Sequence, residues 1–360
     1  MAAKARARRA KDASTWCGQT VAPGERKRIS LVVSESYSGA DIRIPMMVWR
    51  GAAPGPTVAV LAAVHGDEIN GTGAIRQLIM APPFELLAGT LVLVPVVNLF
   101  GFERYSRYLP DRRDLNRCFP GSSHGSLASR LARALFDELI GRCDFAIDLH
   151  TAAVRRTNFP NVRADMTDPK RAAFARAFGA DLLLTGEGPK GSLRRAAAAV
   201  GCHTLILEAG EVWKVEASAV EYAIRGISNC LAHLGMVPGT PVEPPYRIET
   251  DETRWIRANS GGFLSFHVGP GDVVERGQRI ATNTSLTGEE LNAIVAPRRC
   301  IVIGMTTLPS VAPGDPVCHL AFARPGQLTN VARVVASLGD DSLHERAREA
   351  LGSSMLVTDA

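Results

Sequence analysis

The chain has 360 residues, 46% of them hydrophobic and 21% charged, which allows a real core and room for one large domain plus a small one. Its 41 Lys+Arg exceed its 36 Asp+Glu, for a formal charge of +5. Much of that excess sits in the first eleven residues, where Lys4, Arg6, Arg8, Arg9 and Lys11 lie among alanines, and no basic run interleaves with aromatics, so a nucleic-acid platform is excluded.

No apolar run approaches the ~18 residues of a membrane span, and the basic N-terminus lacks the apolar stretch of a secretory signal. Seven scattered cysteines form no CxxC pair, the pattern of free thiols in a reducing compartment. The expectation is a cytoplasmic enzyme with no membrane or nucleic-acid partner.

Residues 1–25 read as a loosely attached tail. A hairpin is expected from Ile29–Val33 and Ile42–Trp49, closing at the Gly51–Pro56 turn cluster. Thr57–Val64 is almost wholly apolar, as a strand covered on both faces should be. Helices are expected at 73–80, 126–140, 170–178, 193–200 and 217–234, and strands at 90–97, 145–150, 180–185 and 203–208. Strands alternating with helices imply an α/β fold, a mostly parallel or mixed sheet with helices on both faces. Four prolines between Pro238 and Pro245 mark a boundary, so the catalytic domain is assigned to 26–240. A small all-β domain follows at 246–325, with two similar Pro-Gly-Asp turns at 270–272 and 313–315. The extension 326–360 holds one polar helix candidate, Ser342–Leu351.

His65-Gly-Asp-Glu68 places an imidazole and a carboxylate three residues apart where a buried strand ends. Catalytic zinc takes three such ligands and leaves a fourth position open. His150 ends another apolar strand, and ligands gather at the carboxyl ends of strands in open α/β sheets. His65, Glu68 and His150 are therefore the expected ligands of one zinc per chain, with Asp67 beside them in a structural role. Glu208 ends a third such strand and is the expected general base, the group that must take a proton and return it to the leaving amine. Glu211 is the alternative, read as loop surface.

Between the ligands runs a turn-rich loop, Arg104–Gly121. Arg117 suits a two-pronged bond to a substrate carboxylate, with Asn116 sharing it. Arg107 suits the developing oxyanion. The rival reading pairs these arginines with Asp111 and Asp114 on a solvated loop.

His-Gly-Asp-Glu, Asp114-Leu-Asn-Arg-Cys-Phe-Pro-Gly121, Asp148-Leu-His-Thr151 and Leu207-Glu-Ala-Gly210, in that order, resemble the succinylglutamate desuccinylase/aspartoacylase family, a branch of the zinc carboxypeptidase-like fold. The resemblance spans roughly residues 28–325. It implies zinc on His65, Glu68 and His150, Glu208 as base, substrate anchoring by Asn116 and Arg117, and hydrolysis of an N-acyl bond on a small amino-acid-like molecule. Val97-Asn-Leu-Phe stands where relatives often carry Asn-Pro, and the Arg107-to-Asn116 spacing differs from the better-known aspartoacylases. Arg194 is a further candidate substrate contact, with Arg195 or a surface position for both as alternatives.

Two motifs are set aside. Gly186-Glu-Gly-Pro-Lys-Gly191 fits GxGxxG but lies deep in the chain with a stiffening Pro189. His344-Glu-Arg-Ala-Arg348 begins like a zincin helix but ends in Arg, and reads as a charged surface helix. A zinc carboxypeptidase on the same scaffold is the alternative function; it would need an open cleft. A lipoyl-type carrier fails because no lysine follows Lys214, leaving the β domain a lid or scaffold role. A homo-oligomer is left open.

Overall fold

The computed structural model describes residues 14–35, 38–339, 341–353 and 355. The chain begins with a short pair, β1 (Thr15–Trp16) and β2 (Gln19–Thr20), then the hairpin β3 (Arg26–Glu35) and β4 (Asp41–Arg50). Next come β5 (Ala53–Ala62), α1 (Asn70–Met80), β6 (Ala88–Val94), the single turn α2 (Leu99–Phe102), α3 (Leu127–Glu138) and β7 (Phe145–His150). They are followed by β8 (Arg156–Ala164), α4 (Pro169–Ala177), β9 (Leu182–Thr185), α5 (Leu193–Ala199), β10 (His203–Gly210) and α6 (Ala217–His233). The C-terminal part holds β11 (Ile248–Thr250), β12 (Thr253–Arg257), β13 (Gly262–Phe266), β14 (Val273–Val274) and β15 (Arg279–Thr284). It continues with β16 (Glu290–Val295), β17 (Cys300–Thr306), β18 (Ser310–Val311), β19 (Pro316–Ala321), α7 (Pro325–Val335) and α8 (Leu343–Gly352).

One mixed sheet runs in the order β12-β19-β17-β8-β10-β7-β5-β6-β4-β3, with β9 beside β8 and β11 beside β9. Its centre, β10, β7, β5 and β6, is parallel. Successive side chains of a strand point to opposite faces, and β5 shows it: Val58 and Val60 enter the core under α1, α4 and α6, while Ala59 and Leu61 enter the core under α3 and the hairpin. Helix starts follow capping chemistry, with Ser126, Asp168 and Ser192 each accepting a backbone N–H from the first turn, which satisfies donors the helix itself cannot.

Several expectations need correction. The tail does not run to residue 25: Trp16 and Val21 are fully buried, and β1 and β2 pair, while residues 1–13 lie outside the described residues. The proline-rich segment does not end the main sheet, because β11 pairs with β9, and β12, β19 and β17 continue the sheet beyond β8. Of the described C-terminal strands, β16-β15-β13-β18 form a separate antiparallel sheet. Helix α7 was not foreseen.

The two Pro-Gly-Asp turns share one geometry. Gly269 and Ala312 each donate N–H to the aspartate three residues on, and the glycine and aspartate of each turn bracket one residue of a neighbouring segment, Val302 and Ala258 respectively. Helix α8 is not simply surface: His344, Ala347 and Leu351 are buried, and His344 lies against Phe159 and Tyr246.

Candidate metal centre and active-site cavity

Parallel strands in register bring their carboxyl ends together. Ala62 of β5 pairs beside Leu149 of β7, and His150 pairs beside Glu208 of β10. His65 and Glu68 follow β5 in the connection to α1, so the four residues meet although 85 positions separate the histidines.

His65 Nδ1 lies 2.7 Å from Glu68 Oε1, His150 Nδ1 lies 2.8 Å from Glu68 Oε2, and the two Nδ1 atoms are 3.2 Å apart. All three residues are buried. Tetrahedral zinc with bonds of about 2.0–2.1 Å holds its donors about 3.3 Å apart; the two nitrogens have that spacing, whereas the contacts to Glu68, one to each of its oxygens, are hydrogen-bond distances that would have to open by about half an ångström around an ion. The far side of each ring faces a carboxylate: His65 Nε2 is 3.2 Å from Asp114 Oδ1, and His150 Nε2 is 2.9 Å from Asp148 Oδ2, the latter off the angle of a hydrogen bond. Such partners orient metal-binding imidazoles and raise their basicity. Burial alone would push both imidazoles toward neutrality, but Glu68 with Asp114 or Asp148 outweighs it and raises both. Burial would raise Glu68 in turn, yet His65 and His150 hold it well below the usual carboxylate range. Asp67 is buried and its carboxyl is pushed up, first by burial and then by Glu68.

Glu208 faces the same cavity, with Asn158 donating to its Oε2 at 3.1 Å and Arg163 3.7 Å from its Oε1. Glu211 does not: its carboxylate bonds Thr307 and Lys214 at 2.6 Å each. It is largely covered rather than loop surface, and it ties the end of β10 to the C-terminal strands.

The loop after α2 is organised by Asp114, which accepts from Asn116 N and from Arg107 Nε and Nη2 and faces His65. Arg107 also reaches Glu68 Oε1 at 3.2 Å, so it pairs with Asp114 as the rival reading had it, yet at the metal donors rather than on a solvated surface. Arg117 does not pair with Asp114; its Nη1 bonds the Asn116 carbonyl and its side chain lines the cavity. Asn116 Oδ1 accepts from Leu193 N at 2.9 Å, which locks the loop to the start of α5.

Arg194 is 7% exposed and lines the cavity, with Nε and Nη1 unpartnered, and burial together with Arg163 brings it down to about 10. Arg195 instead pairs with Glu187 in solvent. The glycine-rich stretch 186–191 serves this packing. A Cβ on Gly188 would lie 2.8 Å from Arg194 Nη2, and one on Gly191 would lie 2.3 Å from the Arg117 carbonyl oxygen.

The cavity, about 270 Å³, also takes in residues the sequence reading did not single out: Arg156, Asn158 and Arg163 on β8, Trp255 on β12 and His319 on β19. Trp255 and His319 stack at 4.7 Å with nearly parallel rings, and the Arg156 guanidinium sits over the indole. Burial, then Arg163 and Arg156, pushes His319 down to about 3. Asp148 carried a readable signal, since it lies two residues before His150 on one strand and so on the same face. The β8 residues carried none of that kind.

Residues 54–234 match the family described as the succinylglutamate desuccinylase/aspartoacylase catalytic domain. A relative, the Nα-acetyl-L-2,4-diaminobutyric acid deacetylase of Halomonas elongata, is 29% identical over 265 residues, 70% of this chain and 77% of its own. The crystal structure of a succinylglutamate desuccinylase/aspartoacylase from Rhodobacter sphaeroides is similar with a TM-score of 0.72 at 27% identity, over 83% of this chain and 96% of that one. A product-bound ectoine utilization protein from Ruegeria pomeroyi shares the fold, with a TM-score of 0.71 at 23% identity over 82% and 94% of the two chains. With the matched span running from β5 through α6 and carrying the His-Glu-His cluster and Glu208, the chain belongs to the succinylglutamate desuccinylase/aspartoacylase family.

Proposed function

We propose that the protein is a zinc-dependent amidohydrolase that removes a small N-acyl group from an anionic, amino-acid-like substrate. The observation that carries this reading is the placement of Glu208 beside the converged His65, Glu68 and His150 in one cavity otherwise rich in guanidinium. Zinc on those three donors would supply a Lewis acid and draw the pKa of water toward ~7. Glu208 has one oxygen held by Asn158, while the other, Oε1, lies 3.7 Å from Arg163 and accepts no hydrogen bond among the described residues, so it can accept a proton and return it to the leaving amine. Arg107, tied to Glu68 and Asp114, presents positive charge where the scissile carbonyl would gain negative charge.

Five arginines and two carboxylates line the cavity. Among the described residues no carboxylate comes within ion-pair distance of Arg117, Arg156 or Arg194. Of these only Arg194 is buried, and a buried charge without a partner is costly, so Arg194 awaits an anion, the second polar end of the substrate; Arg117, exposed at the cavity beside Asn116, is placed for the substrate carboxylate. A volume near the small end of ligand pockets, which run about 300–1,000 Å³, suits an N-acyl amino acid rather than a length of peptide. The seven free cysteines fit a cytoplasmic setting.

The test is a screen of zinc-loaded protein against N-acetyl and N-succinyl amino acids with acidic, neutral and basic side chains, and against short peptides. Acidic N-acyl amino acids should be the best substrates and peptides poor ones. Glu208→Gln should keep its metal and lose on the order of 10²–10⁴-fold in rate. Hydrolysis of peptides alone, or near-normal turnover by Glu208→Gln, would sink the reading.

A further inference from the structure

Glycine in the middle of a buried strand weakens it and often marks a close approach by another group. Gly304 is such a residue: β17 is buried along its whole length, and a Cβ at 304 would lie 2.5 Å from Asn158 Oδ1 and 3.1 Å from the Thr157 carbonyl oxygen. Its φ is not in the left-handed region, so space, not conformation, calls for glycine. The space is taken by the side chain of Asn158, which lies opposite Gly304 in register. On the other side of β8, Asn158 lies opposite Gly210 of β10, beyond an irregular step in the pairing. It is 6% exposed, and its Nδ2 donates to Glu208 Oε2 at 3.1 Å. Among the described residues this is the only hydrogen bond the Glu208 carboxylate receives.

The same row continues outward. Gly304 pairs with His319 on β19, and His319 pairs with Trp255 on β12, against which it stacks. Asn158, the one hydrogen-bond donor to Glu208 among the described residues, thereby stands in a row that runs through β17 and β19 to β12. An amide donor fixes one carboxylate oxygen and leaves the other turned to the reacting atoms, which restricts a side chain that otherwise has three rotatable bonds.

We propose that Asn158 is a positioning residue for Glu208, and that glycine at 304 is the condition that leaves room beside β17 for the Asn158 side chain, whose Oδ1 packs against Gly304 while its Nδ2 turns the other way to Glu208. This rests on Glu208 being the base of the hydrolysis proposed above. It makes the C-terminal strands part of the catalytic apparatus and not only a cover.

Five proteins test it, all zinc-loaded: wild type, Asn158→Ala, Asn158→Asp, Gly304→Ala and the double variant Asn158→Ala with Gly304→Ala. The readouts are kcat and KM on the best N-acyl amino acid, zinc content and Tm. Asn158→Ala should lower kcat about ten- to hundredfold, the range a hydrogen bond to a charged group supports, with KM within about twofold and zinc retained. Gly304→Ala should cost a similar factor by displacing Asn158. The double variant should be no worse than Asn158→Ala, because the added methyl then fills vacated space and the two losses are coupled. Asn158→Asp, equal in size but without the donor, should match or exceed the loss in Asn158→Ala.

Full kcat in Asn158→Ala and Asn158→Asp would overturn the proposal, as would additive losses in the double variant or a loss that tracks Tm alone. If the wild type turns over no N-acyl amino acid, the deacylase reading is what fails. The positioning role is then decided by crystal structures of wild type and Asn158→Ala: a Glu208 side chain that turns away supports it, and one that keeps its orientation overturns it.

Discussion

The His65–Glu68–His150 cluster and the wall facing it come from different kinds of strand. His65, Glu68 and His150 sit at the ends of β5 and β7, neighbouring parallel strands in the middle of the sheet, and Glu208 lies on the next one. The wall is antiparallel: Arg156, Asn158 and Arg163 on β8, His319 on β19, Trp255 on β12. The difference shows in the imidazoles. Those of His65 and His150 are raised by the carboxylates they touch, whereas His319 is driven down by burial among arginines. One side of the cavity is arranged to hold a cation, the other to stay neutral or positive toward an incoming anion.

If that division is real, damage to the two sides should be separable. His65→Ala and His150→Ala should each lose bound zinc, from about one per chain to near none, because two remaining donors make a weak site, and hydrolysis should vanish with it. Trp255→Ala, on the wall, should keep its zinc and change which substrates are accepted. Elemental analysis beside a substrate panel makes the comparison. Zinc loss in Trp255→Ala as severe as in the histidine variants would erase the distinction.

The same division explains what the sequence made legible. A parallel strand buried on both faces reads as an apolar run, so the strand ends carrying His65, His150 and Glu208, which the structure brings to one cavity, were legible in the sequence. Strand β8 hides itself. Between Asn158 and Asn161 it carries three steps where β10 has two from Glu208 to Gly210, an extra residue around Pro160. That bulge puts Arg156 and Asn158 on the same side as Asn161 and Arg163 and destroys the alternation by which a strand is read. Trp255 and His319 lie more than a hundred residues beyond His150 and carry no motif; only the pairing of β19 with β12 and β17 places them. The proline cluster at 238–245 changes the local composition, yet nothing in it says that the chain then rejoins the main sheet through β11, β12, β17 and β19.

Arg194 offers a sharper test of the wall. A buried guanidinium with unpartnered nitrogens lowers stability, and apolar replacement of buried charge is often neutral or stabilising by about 1–4 kcal/mol. Arg194→Met should therefore raise KM tens-fold for an acidic substrate while leaving the fold as stable as wild type or more so. Urea denaturation alongside kinetics on N-acetylglutamate and N-acetylglutamine reads both quantities. Loss of stability with an intact preference for the acid would make Arg194 a structural residue and move the second anion contact to Arg156 or Arg163.

The smallest expected effect belongs to His319. Its folded-state value of about 3 lies below the ~6.5 of an unfolded histidine, so between those values the unfolded chain binds a proton that the folded chain refuses. Stability from this group is therefore complete above pH ~6.5 and falls as pH drops toward 3. At pH 5 the loss is about 1.5 pH units, or roughly 2 kcal/mol. His319→Phe keeps a flat ring against Trp255 and cannot titrate. Unfolding free energies of both proteins, measured from pH 7.5 to 5.0, share every other titrating group, including buried His344, itself pushed down to about 4. Their difference should shift by about 2 kcal/mol in favour of the variant as pH falls. Parallel curves would mean that water or the proton reaches His319 freely in the folded state. The wall would then be open, and an enclosed, cation-lined surface could no longer account for small anionic substrates.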